Sequence, residues 1–203
     1  MPFYGHIILL FFLLTFTLNA QDKYSTRIAY GTASQNNLGA IISGQLGSHP
    51  KDLSMVAVEG GYLLKQNLFD WPIDIYAKAG LSYFNEDVHD NVLETLIYIK
   101  AYYNFDFLDN RVRFGFGEGG SYVSSVLEAE HDEALLENGT TSNYLNYLDI
   151  SLDFDIGKLI RYKPLDNTYF GILLKHRSGI FGLINNVDGG GSNYNSIYLE
   201  KNF

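Results

Sequence analysis

Residue types able to do chemistry are few in this 203-residue chain, which has five histidines and no cysteine. The lack of thiols excludes disulfides, thiolate metal sites and cysteine nucleophiles. The most suggestive pair is His176 and Ser178, in the run Tyr169-Phe-Gly-Ile-Leu-Leu-Lys-His-Arg-Ser178. Read at a period of two, Phe170, Ile172, Leu174, His176 and Ser178 share one face of a strand, and Tyr169, Gly171, Lys175 and Arg177 share the other. His-x-Ser on one face sets the two Cα atoms about 6–7 Å apart, twice the strand rise. That suits an imidazole taking a proton from a serine hydroxyl, the activation a serine nucleophile needs. The blander alternative is a histidine and a serine that merely face lipid headgroups.

Such a pair needs a rigid support, and the same alternation recurs along the chain. Strands are expected over residues 24–33, 53–65, 71–84, 95–107, 111–123, 144–156, 169–178 and 194–203. In the third, Ile73, Ile75, Ala77, Ala79 and Leu81 oppose Asp74, Lys78 and Ser82. In the sixth, Leu148, Ile150, Leu152, Phe154 and Ile156 oppose Asp149, Ser151, Asp153 and Asp155. Their lengths suit tilted strands that cross a bilayer. The connections 66–70, 108–110 and 157–167 are short or moderate, whereas 34–52, 85–94, 124–143 and 179–190 are longer and polar. Turns and loops alternate in this way in outer-membrane barrels. The expected fold is therefore all-β, an eight-stranded antiparallel transmembrane β-barrel of the outer-membrane type, forming one domain over residues 21–203.

The parity assigns Arg27, Lys78, Lys100, Arg111, Arg113, Lys175 and Arg177 to the interior with Glu59, Asp74, Asp106, Asp149, Asp153, Asp155 and Glu200. The opposite parity would put Arg and Lys into lipid at about 2–4 kcal/mol each near the midplane. An eight-stranded barrel is just wide enough for its side chains to fill, so an ion-paired plug and no pore is expected. Glu118 falls on the outer face unless Gly117, Gly119 or Gly120 marks a bulge that turns it inward to pair with an interior arginine. Glu128, Glu130, His131, Asp132, Glu133 and Glu137 crowd the third long loop. They read as a solvated acidic loop, the alternative being a surface that gathers divalent cations.

The net charge of −9 comes without the clustered Lys/Arg surface that phosphate backbones require, and no nucleic-acid partner is expected. Residues 2–20 are apolar and end in Leu18-Asn-Ala20, too short to span a bilayer and typical of a signal peptide cut after Ala20. The expected location of the mature chain is the outer membrane. No cofactor or metal is expected, and nothing in the sequence sets an oligomeric state.

The run His176-Arg-Ser-Gly-Ile-Phe-Gly182, then Asn186-Val-Asp-Gly-Gly-Gly-Ser-Asn193 and a final strand ending in Phe203, resembles the outer-membrane lipid A deacylases and the wider acyloxyacyl-hydrolase-like barrel group. Glu118-Gly-Gly-Ser-Tyr122 and Asn146-Tyr-Leu-Asp149 look like further segments of that family. The resemblance implies a serine esterase that removes an acyl chain from lipid A in lipopolysaccharide, with His176 as base and Ser178 as nucleophile. In the deacylases an asparagine follows the serine; here Gly179 follows it, and only its backbone N–H would serve an oxyanion. Their glutamate would fall near Gly191, where this chain has no carboxylate. Asp188 is then the expected third residue, with Asn193 and Asn146 as further orienting candidates. The alternative is a non-catalytic outer-membrane barrel with a structural or ligand-binding role. A carboxylate or amide within reach of His176 on the outer face would favour the esterase.

Overall fold

In a computed structural model that describes residues 23–203, each strand pairs with its sequence neighbours and the first also pairs with the eighth, so the sheet closes and leaves no edge. The strands are β1 (Tyr24–Ser34), β2 (Ser54–Lys65), β3 (Ile73–Asn85), β4 (Val92–Phe107), β5 (Asn110–Val123), β6 (Tyr144–Asp155), β7 (Thr168–Ser178) and β8 (Ser192–Asn202). The expected signal peptide, residues 1–20, lies outside the described residues. The seam runs from Ser25 opposite Asn202 to Ser34 opposite Asn193. Beyond it, Tyr24 and Phe203 exchange backbone hydrogen bonds of 3.2 and 2.8 Å. At the tightest turn, Leu108 and Asp109 both adopt left-handed backbone angles, with φ of 51° and 61°. That two-residue hairpin geometry matches the twist of the flanking strands.

Alternation along the strands builds the interior. Arg27, fully buried, reaches Glu59 on β2 at 2.6 Å and Asp149 on β6 at 2.5 Å. The Tyr98 hydroxyl accepts from the same guanidinium nitrogen at 2.7 Å and donates to Glu59 at 2.5 Å. Lys100 pairs with Asp149 and Lys78 with Glu200. Arg113 forms a two-pronged pair with Asp153, both contacts at 2.8 Å, and lies over the rings of Tyr102 and Tyr169. Lys175 meets Glu94 at 2.5 Å. Each buried charge in this stack faces a counter-charge, which burial in a medium of low dielectric requires.

At the short-turn end the expected interior residues Asp74 and Arg111 line the open mouth of the lumen with Tyr76, Tyr102 and Arg113, whereas Asp106 lies beyond the last enclosed layer. Arg111 and Asp106 pair with each other at 2.6 Å on the open rim, with Asp106 exposed. Asp74 is half-buried at the same rim and accepts from the Asn104 amide at 2.8 Å.

The exterior is apolar. Ile28, Val58, Ile97, Ile99, Leu152, Ile172 and Ile197 are exposed between two belts of exposed aromatic residues. Tyr24, Tyr62, Trp71, Tyr103 and Phe105 mark the short-turn end, and Tyr30, Tyr83, Tyr122 and Tyr144 the long-loop end. An apolar band between aromatic girdles is the surface a membrane barrel offers to lipid. Among the described residues no helix is long and apolar enough to cross a membrane.

The third long loop is not a solvated acidic loop. It carries a helix, α2 (Glu128–Glu137), that follows a short helix, α1 (Leu38–Ile42), in the first long loop. Glu128 and Glu130 are buried because each finds partners that the local sequence does not contain. Glu128 takes the Lys51 ammonium at 2.8 Å and the backbone N–H groups of Asp87 and Val88 at 3.1 and 3.0 Å. It thereby ties the first three long loops together. Burial pushes its carboxyl up, but Lys51 and those N–H groups outweigh burial and hold it at about 2. Glu130 sits 3.1 Å from the Arg177 guanidinium and accepts from the Ser192 hydroxyl at 3.0 Å. Here burial wins over Arg177 and pushes the carboxyl up to about 7.

Arg27→Met should lower the urea-unfolding free energy of the micelle-embedded barrel by about 3–5 kcal/mol, because Glu59 is left buried without its cation and Asp149 keeps only Lys100. Lys65→Ala, at the exposed end of β2, should change it little. The α2 cap should loosen as pH rises. A raised carboxyl favours the folded state below its ordinary value near 4.5, and that contribution fades as pH climbs through about 7. Glu128 acts the opposite way, but only as pH falls from 4.5 towards about 2. Amide-exchange protection in α2, corrected for intrinsic rates, should therefore fall between roughly pH 5 and 8. Glu130→Gln should remove most of that fall.

Candidate functional site

The parity that sends Lys175 and Arg177 inward turns Leu174, His176 and Ser178 outward on β7. Neighbouring strands align with them in rows. Ser178 is opposite Asn146; His176 lies between Leu148 on β6 and Asn193 on β8; Leu174 lies between Ile150 and Asn195. The rows continue onto β5 with Gly120, Glu118 and Phe116. Apart from Asn85 at the end of β3, the outward amide, imidazole and carboxylate side chains of the strands are gathered on β5 to β8.

His176 Nδ1 lies 2.8 Å from Asn193 Oδ1. The Asn193 amide nitrogen donates to the backbone carbonyl of Asn36 at 3.1 Å. That contact settles which end of the amide faces the ring: Oδ1 can only accept, so Nδ1 must carry the proton. Nε2 is left with its lone pair, the form in which an imidazole acts as a base. Ser178, half-buried, makes no side-chain hydrogen bond among the described residues, and neither does the outward amide of Asn146 beside it.

The sequence candidates thus separate. His176, Ser178, Asn193 and Asn146 come together on one outward patch. Asp188 does not join them; it is exposed in the last long loop and its carboxylate has no hydrogen-bonded partner among the described residues. Gly179 follows Ser178 where the chain passes the backbone of Val187, and a Cβ there would stand 2.0 Å from that carbonyl oxygen. No side chain fits at that position, so an asparagine after the serine is excluded. At Gly191, a Cβ would stand 2.6 Å from the Arg177 carbonyl oxygen, too close for a side chain, and 3.3 Å from Glu133 Oε2 on α2. The carboxylate nearest that position is therefore one from the loop helix. Burial raises the Glu133 carboxyl above its ordinary range.

Below the patch is an apolar groove of about 570 Å³ on the outside of the barrel. The first long loop bends down to form one wall with Ile41, Ile42 and Leu46, and Ile172, Leu174 and Ile197 line the strands beneath. The Asn195 amide holds that loop by donating to the Leu46 carbonyl at 2.8 Å. Leu174 and Asn195, which line the groove, are the residues two positions before His176 and two after Asn193. The polar row therefore sits at the edge of the groove. Among the described residues no group of three or more His, Asp or Glu side chains could hold a metal ion.

Glu118 stays outward. Pairing runs unbroken through Gly117, Glu118, Gly119 and Gly120 on both sides, so no bulge turns it in, and it forms no pair with an interior arginine. The groove wall, the Asn36 anchor and the approach of Glu133 had no signal in the sequence, since each is a contact between a loop and a distant strand.

A closed antiparallel barrel of eight strands with a charged core and an apolar exterior belongs to the class of small outer-membrane barrels. Solved structures agree on the fold. The outer-membrane enzyme PagL superposes with a TM-score of 0.61, over 88% of this chain and 99% of that one, at 13% identity. Neisserial surface protein A superposes with a TM-score of 0.50, over 90% and 98%, at 12% identity. No protein-family model and no curated protein matches the chain.

Proposed function

We propose that this protein is an outer-membrane serine esterase of lipid A deacylase-like activity, with residues 1–20 as its export signal, that cleaves an acyl ester of lipopolysaccharide at its lipid-facing surface. The observation that carries the reading is the outward row in which Asn193 fixes the proton of His176 on Nδ1, beside an unbonded Ser178 and at the edge of an apolar groove. The groove offers an acyl chain the environment it has in the bilayer, while its ester reaches the polar row. Ser178 Oγ attacks the ester carbonyl and His176 Nε2 takes the hydroxyl proton. The Gly179 N–H and the Asn146 amide are the donors at hand for the oxyanion. The imidazolium returns the proton to the departing sugar hydroxyl. Water, activated by the same Nε2, then releases the fatty acid from Ser178 and restores the hydroxyl.

Asn193 orients the ring as a carboxylate would but brings no charge to the imidazolium. A modest turnover is the expected consequence. Ser178→Ala and His176→Ala should abolish fatty-acid release from lipid A in cells making the folded barrel, as judged by mass spectrometry of lipid A and by heat-modifiable gel migration. Asn193→Ala should cost about 10²-fold or more by freeing the ring, and Asp188→Asn should change little. Unaltered lipid A in cells making the folded wild-type protein would instead favour a non-catalytic surface barrel.

A further inference from the structure

A carboxylate on the outer wall of a membrane barrel is costly unless something there meets it. Glu118 is such a group: exposed, outward, and without an ion pair or side-chain hydrogen bond among the described residues. Its neighbours across the sheet, Ile99 and Leu148, are apolar. Nor is it placed at random. Glu118, Leu148, His176 and Asn193 occupy one row across β5 to β8, with Glu118 two strands from His176. Two interstrand spacings come to about 10 Å, a distance a sugar-sized headgroup spans. Leu148 gives that span an apolar floor between two polar ends.

We propose that Glu118 is a specificity-determining residue that binds a hydrogen-bond-donating nitrogen of the substrate headgroup, an ammonium or an amide N–H, while the ester lies at His176 and Ser178. An ionised carboxylate only accepts hydrogen bonds, so its partner must be a donor, and a phosphate is disfavoured there. No cationic side chain shares the outward rows around it, so the protein itself leaves the position to the ligand. Its role in turnover rests on the esterase reading; its role in binding does not.

The experiment uses full-length barrel in detergent micelles with three O-acyl amphiphiles: a glucosamine with a free amine, its N-acetyl counterpart, and a 2-deoxyglucose in which hydrogen replaces the nitrogen, since a hydroxyl there would itself donate to the carboxylate. Wild-type protein should favour the two nitrogen-bearing esters over the deoxyglucose ester by about tenfold in kcat/KM, through KM, the scale of one charge-assisted hydrogen bond. Glu118→Ala should erase that preference by raising KM for the two nitrogen-bearing esters about tenfold. Glu118→Gln should keep the preference for the amide and lose that for the amine. The same ranking should appear in equilibrium binding of the three amphiphiles to the Ser178→Ala protein. If none of the esters is cleaved but the binding ranking and its loss in Glu118→Ala,Ser178→Ala hold, the esterase reading fails and the headgroup site stands. Equal binding of all three amphiphiles by wild-type and Glu118→Ala proteins would overturn the site. So would loss of the ranking on adding EDTA to wild-type protein, since a divalent cation would then be the partner.

Discussion

Arg27 cannot be hydrated inside a barrel of eight strands, and its need for counter-charges constrains the rest of the molecule. It lies on β1, yet its partners are Glu59 on β2 and Asp149 on β6, so the pair of contacts reaches across the lumen. Asp149 in turn takes Lys100 from β4. A one-residue slip of any of these strands would turn its charged row into lipid and its apolar row into the plug. The ion pairs are costly to desolvate and are weak evidence of net stability, but they make alternative registers far worse. Register is therefore specified from within.

The outward surface inherits that specification. Once Lys175 and Arg177 are committed to Glu94 and Glu130 inside, His176 and Ser178 have no choice but to face out. The same holds on β8, where Tyr194 is buried and Asn193 and Asn195 turn outward. The polar patch is thus a by-product of interior pairing in its orientation, though not in its residue types. Imidazole, amide and carboxylate groups on a lipid-facing wall have to be met by lipid headgroups, by one another or by a loop. The first long loop serves in part: its carbonyls at Asn36 and Leu46 take the amides of Asn193 and Asn195, and its apolar residues roof the groove.

The loop end shows how one helix can couple distant segments. Glu128 gathers Lys51 and the backbone at Asp87 and Val88, Glu130 meets Arg177 and Ser192, and Glu133 accepts from the Gly191 backbone beside Ser178. Three carboxylates of α2 therefore have three different surroundings. Glu128 is held ionised by a cation and backbone donors, whereas burial dominates at Glu130 and Glu133.

Alternation determined much of this protein in the sequence itself. The number of strands, their inward and outward faces, the Arg27 to Glu200 plug and the outward setting of His176 and Ser178 all follow from a period of two and the cost of charge in lipid. Parity loses its meaning once a strand leaves the enclosed layer, as at Asp106, whose carboxylate is exposed while its partner Arg111 lines the mouth of the lumen. The acidic run at 128–137 looked solvated because its partners, Lys51, Arg177 and the backbone at 87–88, are remote in sequence. Only the tertiary structure could choose Asn193 over Asp188 as the partner of His176. That choice depends on the register between β7 and β8 and on the path of the loop between them, which is set by long-range pairing and by the packing of Gly179 against Val187. Local sequence fixes which face a side chain takes; which neighbour it meets there is decided by closure of the barrel.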